Sequence, residues 1–133
     1  MEKRSKQPTA KGSAQMFAGD VWLDPVAQGK PPSGLNVMAV HFSPGSRTAW
    51  HSHEAGQTLC VTEGRGWIQS RGQERADLHP GDIFYTPDGE EHWHGAASDH
   101  FMTHLSITEG VPHCGAHVTD DECRASDKVE GEP

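Results

Sequence analysis

The sequence predicts an all-β domain, closed into a barrel or jelly roll from short strands. Three observations carry this. Glycine (15) and proline (9) are spread along the 133 residues and separate short β-prone runs. In the clearest run, Leu35–Phe42, the alternate positions Met38, Val40 and Phe42 share one face, which is the period of a strand. Helical patterning is almost absent, and about eight or nine short strands with frequent turns are the mark of a barrel or jelly roll.

The elements follow in order. Residues 1–14 are polar and unpatterned and are expected to form a flexible tail that holds Lys3, Arg4, Lys6 and Lys11. Residues 21–23 form a short strand closed by Asp24-Pro25, and residues 28–34 a loop. After the strand Leu35–Phe42, Ser43-Pro44-Gly45 turns the chain into a strand over residues 47–53. Strands over 57–63 and 67–70 flank Gly64-Arg65-Gly66, a tight hairpin signal. Residues 75–78 lead to Pro80-Gly81-Asp82, and Ile83–Thr86 to Pro87-Asp88-Gly89. Strands at His92–Ala96 and over 101–108 complete the barrel domain, which spans residues 15–122. Near its end Thr119 is a cap for one helical turn. The acidic residues 123–133 are expected to be a flexible tail.

Composition narrows the function. The net charge is −8, and no strand carries a Lys/Arg stripe, so nucleic-acid binding has no electrostatic footprint. No apolar run is long enough to span a bilayer as a helix, so no membrane partner is expected. The residues after Met1 are charged and do not form a secretory signal, which makes the cytoplasm the expected compartment. The three cysteines fit a reducing environment. Cys60, in the run Leu59-Cys60-Val61, is expected to be a buried, inert thiol, and Cys114 and Cys123 to stay unpaired. His113, Cys114, His117 and Cys123 are metal-ligating types, but their spacing is looser than that of zinc sites, which argues against a second metal there.

The chemistry concentrates in His51-Ser52-His53-Glu54-Ala55-Gly56-Gln57 and in His92-Trp93-His94. Residues two apart on a strand project from one face, so His51 and His53 reach one point, and the Glu-Ala-Gly turn can bring Gln57 back beside them. Imidazole suits first-row transition metals, and an amide carbonyl adds a neutral oxygen. A His-x-His pair alone is commonly a surface accident; the frame around it decides. Five residues separate Gly45 from His51, three separate His53 from Gln57, and six separate Gln57 from Gly64. Five more separate Gly81 from Pro87-Asp88-Gly89, and two separate Gly89 from His92.

These two frames resemble the paired signature motifs of the cupin superfamily, whose fold is a double-stranded β-helix. The first motif normally carries Glu where Gln57 stands, and the second normally ends in Asn where Ala96 stands. Arg47-Thr48-Ala49-Trp50-His51, Gly56-Gln57-Thr58-Leu59, His92-Trp93-His94-Gly95-Ala96-Ala97 and Met102-Thr103-His104-Leu105 narrow the likeness. They resemble a bacterial subgroup that contains manganese-dependent cupin hydroxynitrile lyases. The resemblance implies one divalent transition metal on His51, His53, Gln57 and His92, manganese first, with iron, nickel or zinc as alternatives. It places His94 and His104 beside the metal, favours Met38, Val40 and Phe42 as a substrate wall rather than plain core, and implies a homodimer or higher homo-oligomer. The run 16–23 is the candidate edge strand for such pairing.

Three imidazoles and an amide leave a divalent ion its full charge, which favours anion binding and Lewis-acid chemistry on a hydroxyl or carbonyl oxygen. His94 and His104 are each a candidate base or an orienter of a ligand, with His104 favoured as base because it lies on a separate strand. The remaining histidines (His41, His79, His100, His113, His117) read as ordinary surface or loop residues. The resemblance implies a small-molecule lyase that cleaves cyanohydrins. The alternatives are a metal-dependent oxygenase and a non-catalytic ligand-binding barrel.

Overall fold

The computed structural model describes residues 1–124, and the expected acidic tail from 125 onward lies outside the described residues. Strands dominate, and every pairing is antiparallel. They are β1 (Ala10–Lys11), β2 (Phe17–Ala18), β3 (Val21–Gln28), β4 (Leu35–Phe42), β5 (Arg47–Thr48), β6 (His51–His53) and β7 (Gln57–Gly64). β8 (Gly66–Ser70), β9 (Ala76–Leu78), β10 (Ile83–Thr86), β11 (His92–Ala96), β12 (Met102–Glu109) and β13 (Pro112–Cys114) follow. One sheet has the order β1-β3-β4-β12-β7-β10. The other runs β13-β6-β11-β5-β2, with β8 joined to β11 and β9 to β8. The two sheets face each other as a barrel, as expected from the strand-and-turn pattern.

The interior is filled from both sheets by Val21, Val40, Phe42, Leu59, Val61, Ile68, Leu78, Ala96 and Met102, all buried. A side chain of this kind contributes roughly 2 kcal/mol when fully removed from water. A smaller cluster lies outside the second sheet, where Trp50, Trp93, Val118 and Cys123 pack together with Trp67. That cluster explains why all five residues of β11 are buried: the C-terminal segment covers the face that a strand usually gives to water. Residues 120–124 are helical. The Thr119 hydroxyl accepts from the Glu122 amide at 3.0 Å, and Glu122 Oε1 accepts from the Thr119 amide at 2.9 Å, a capping box at the expected cap.

Several expectations need correction. Gly64-Arg65-Gly66 is not a hairpin: β7 and β8 lie in different sheets, and the three residues carry the chain across the barrel corner. The glycines serve close approach. A Cβ on Gly64 would come within 2.0 Å of the Phe101 carbonyl oxygen, and one on Gly66 within 2.2 Å of that of Gly95. Residues 21–28 form one strand through Asp24-Pro25, because a register shift between Pro25 and Ala27 absorbs the proline. The strand expected over 47–53 is split in two, with Ala49 and Trp50 between. Cys60 is only partly buried: on β7 the alternation sends Gln57, Leu59 and Val61 inward and Cys60 outward. Ala10–Lys11, in the segment expected to be a tail, pairs with Leu23 and Trp22. Within the segment 16–23, β2 is the end strand of its sheet and pairs with β5 alone, whereas β3 lies between β1 and β4.

Candidate metal centre

The ligand candidates come from both sheets. On β6, His51 and His53 point into the barrel with Ser52 between them. His92 on β11 is the cross-strand partner of His51, which sets their ring centroids 4.3 Å apart. Gly56, at φ +80°, closes the turn that lifts the chain from β6 to β7, and a Cβ there would meet the Thr86 carbonyl oxygen at 2.7 Å. The next residue is Gln57, whose Oε1 lies 2.9 Å from His92 Nε2. One nitrogen from each of His51, His53 and His92 can be chosen so that all three lie within 4.8 Å of one another.

A hydrogen bond sets the His51 tautomer. His51 Nδ1 donates to the Ala49 carbonyl at 2.8 Å, and a neutral imidazole has a single N–H, so His51 Nε2 is left with a lone pair. His92 lies between two acceptors, the Glu90 carbonyl 3.1 Å from Nδ1 and Gln57 Oε1 2.9 Å from Nε2, and its single N–H serves one of them at a time. His51 Nε2 and His53 Nε2 are buried without a hydrogen-bond partner. Buried acceptors that converge without donors are costly, and a cation is what satisfies them. The donor set therefore fits a divalent transition metal. Burial pushes His51 down to about 3, with nearby His92 adding to the effect, and burial pushes His53 down to about 4. His92 is also lowered by burial. All three are thus neutral at pH 7, the form that ligates.

His94 and His104 meet across the barrel from opposite sheets, with His104 Nε2 3.1 Å from His94 Nδ1. Burial lowers both, His104 to about 3 and His94 well below its usual value. The His94 ring is 5.2 Å from that of His51 and 5.6 Å from that of His92. His104 lies farther back, with its ring 5.3 Å from that of Phe42. His94 Nε2 and His104 Nδ1 are buried without partners.

A cavity of about 450 Å³ opens beside these histidines. Met38 and Val40 line it, as expected for a wall. Phe42 does not; it lies beneath, packed edge-on to His94, because its place on β4 falls level with the histidine rings rather than the open space. The sequence reasoning missed the rest of the lining, which includes Lys11, Ser13, Met16 and Phe17, and Leu23, the cross-strand neighbour of Val40. Phe17 and Lys11 sit on two-residue strands, too short for alternation to register; the signal available was Gly12, whose missing side chain admits the Phe17 ring. No described residue lining the cavity carries a carboxylate.

The second cluster weighed from the sequence does not converge. Cys123 packs among the tryptophans, His117 Nε2 donates to the Ala14 carbonyl at 2.8 Å, and Cys114 Sγ points at that of Gln15. His41 is half-buried on the outer face of β4, 2.8 Å from Asp24 Oδ2.

The chain is thus a two-sheet antiparallel β-barrel with a buried histidine cluster on one inner wall that could hold a metal ion. Residues 38–108 match the model of the cupin domain, and the chain belongs to the cupin family. It is 43% identical over 128 residues to (R)-mandelonitrile lyase of Granulicella tundricola, a match that covers 93% of this chain and 98% of that protein. The crystal structure of a cupin-like protein from Thermotoga maritima superposes with a TM-score of 0.84 at 38% identity, covering 88% of this chain and 92% of that one. A cupin-2 domain from Rhodospirillum rubrum, 18% identical with a TM-score of 0.68 over 98% of this chain and 90% of its own, shares the fold alone. Among the described residues no helix is long and apolar enough to cross a membrane.

Proposed function

We propose that the protein is a metal-dependent lyase that cleaves an aromatic cyanohydrin to an aldehyde and hydrogen cyanide. The observation that carries this is the set of partnerless His51 and His53 Nε2 atoms beside a cavity that Phe17, Leu23, Met38 and Val40 help to line. The 43% identical relative named (R)-mandelonitrile lyase supports the choice of substrate. His51, His53, His92 and Gln57 hold the ion, manganese by preference, which when bound supplies Lewis-acid stabilisation of charge on oxygen. Met38, Val40, Leu23 and Phe17 receive the aryl group. His94 Nε2, nearer to the ligand cluster than His104, is the atom offered to the substrate hydroxyl proton, and His104 holds the His94 ring through the 3.1 Å contact. This assignment reverses the preference drawn from strand placement in the sequence. As the O–H bond breaks, its electron pair forms the carbonyl while the C–C bond to the nitrile breaks. The departing cyanide then takes the proton from His94, so proton and electrons balance.

The test is benzaldehyde release from mandelonitrile by metal-stripped protein before and after addition of Mn²⁺. Release that depends on added metal supports the proposal. No release with a fully loaded site removes it, and oxygen uptake in its place selects the oxygenase alternative.

A further inference from the structure

The Gln57 amide is held at both ends. Its Oε1 faces His92 Nε2 at 2.9 Å, and its Nε2 donates to Ser106 Oγ at 2.8 Å. Ser106 is a polar residue between Leu105 and Ile107 on β12, and its side chain turns into the cavity. Resting on the metal reading above, we infer that Ser106 is a positioning residue that holds the Gln57 amide N–H and steadies its oxygen toward the histidine cluster when a metal is bound.

The Gln57 amide has two orientations, and the Ser106 hydroxyl can pair with either, accepting from the nitrogen or donating to the oxygen. In the tautomer that ligates a metal, His92 Nδ1–H goes to the Glu90 carbonyl and Nε2 keeps its lone pair. If the Gln57 amide were turned over, its N–H would bond to that lone pair. One ligand nitrogen would then be consumed and one ligand oxygen turned away. The orientation seen is the one that leaves both available, and in it Ser106 Oγ is the recorded acceptor for the amide N–H. An amide whose oxygen is held by a cation is a stronger donor, so the bond to Ser106 is worth more in the loaded site than in the metal-free one. That difference appears as metal affinity. Thr108, the cross-strand partner of Gln57, makes no recorded bond to the amide, so strand pairing alone does not fix it.

The experiment is Mn²⁺ titration of metal-stripped protein in the absence of substrate, which excludes any role of Ser106 in touching substrate. Ser106→Ala is expected to weaken Mn²⁺ binding by ~10–100-fold, the usual effect of losing a partner behind a ligand. Ser106→Thr, which keeps the hydroxyl, is expected to stay within about threefold of wild type. Ser106→Cys, close in size but a poor acceptor, is expected to follow the alanine variant and serves in its place if Ser106→Ala does not fold. In a Gln57→Ala background, Ser106→Ala is expected to cost nothing further, because the group it holds is gone. Wild-type affinity in the alanine or cysteine variant overturns the inference, as does a full loss in the Gln57→Ala background. Mandelonitrile cleavage is not read in this titration, so the lyase proposal can fail while the inference stands. Wild-type protein that binds no Mn²⁺ removes the metal reading and the inference together.

Discussion

Gly64→Ala is the substitution whose cost the structure separates most cleanly into parts, because Gly72 supplies a control. Both glycines have φ +81°. An alanine in that left-handed region costs ~1–2 kcal/mol by itself. At Gly72 a new Cβ meets nothing within 4 Å, so the backbone term is the whole cost. At Gly64 the Cβ would lie 2.0 Å from the Phe101 oxygen and 2.8 Å from Met102 Cα. An ordinary C···O contact is about 3.3 Å, so β7 and β12 must part by more than an ångström where they converge. That movement strains the 3.0 Å bond from the Arg65 amide to Phe101, worth about 1 kcal/mol, and disturbs fully buried Met102 at an overpacking cost of about 1–3 kcal/mol. Gly64→Ala is therefore expected to lose roughly 3–6 kcal/mol, against ~1–2 kcal/mol for Gly72→Ala, by urea unfolding of the metal-free protein. Equal losses in the two variants would refute the claim that Gly64 exists for the sheet crossing.

The other predictions concern the site. His94→Ala and His104→Ala should each retain metal and lower mandelonitrile turnover, by ~100-fold or more for the variant that loses the proton acceptor; the larger loss is expected at His94, and normal turnover in both would exclude either as base. Gln57→Glu should keep the metal but weaken cyanide binding at least about tenfold, since like charges ~4 Å apart repel by about 4 kcal/mol at an effective dielectric near 20; equal or tighter binding in a cyanide titration would contradict the charge argument. The metal-free protein should lose stability as pH falls. The pocket histidines are held well below their unfolded value of 6.5, so the unfolded chain takes up protons first, and the loss begins near pH 6.5 and continues toward about 4, where His53 starts to titrate in the fold. Unfolding free energy that stays flat between pH 7 and 4.5 would show that these groups are not buried as described.

What the sequence disclosed and what it hid have physical reasons. His51-Ser52-His53 and the run Leu35–Phe42 were legible because strand alternation is local: two residues apart means one face, whatever the strand pairs with. Gln57 was legible through its distance past the turn at Gly56. The Gly64-Arg65-Gly66 crossing was misread because a glycine-rich turn encodes a change of direction, not the sheet to which the next strand belongs; β8 pairs with β11, residues far along the chain. The same limit hid the wall formed by Met16 and Phe17. The strand of Phe17, which Met16 precedes, is two residues long, and its place over the cavity depends on pairing with Arg47 and Thr48, which nothing nearby announces. Cys60 was misplaced because an apolar run was read without its alternation.

Elemental analysis of the purified protein, beside a variant carrying His51→Ala, His53→Ala and His92→Ala together, tests the account most directly. The converging Nε2 atoms predict close to one divalent transition-metal ion per chain in the wild type and none in the triple variant. Equal metal content in the two proteins, or a wild-type chain that takes up no metal when it is supplied, would contradict the assignment.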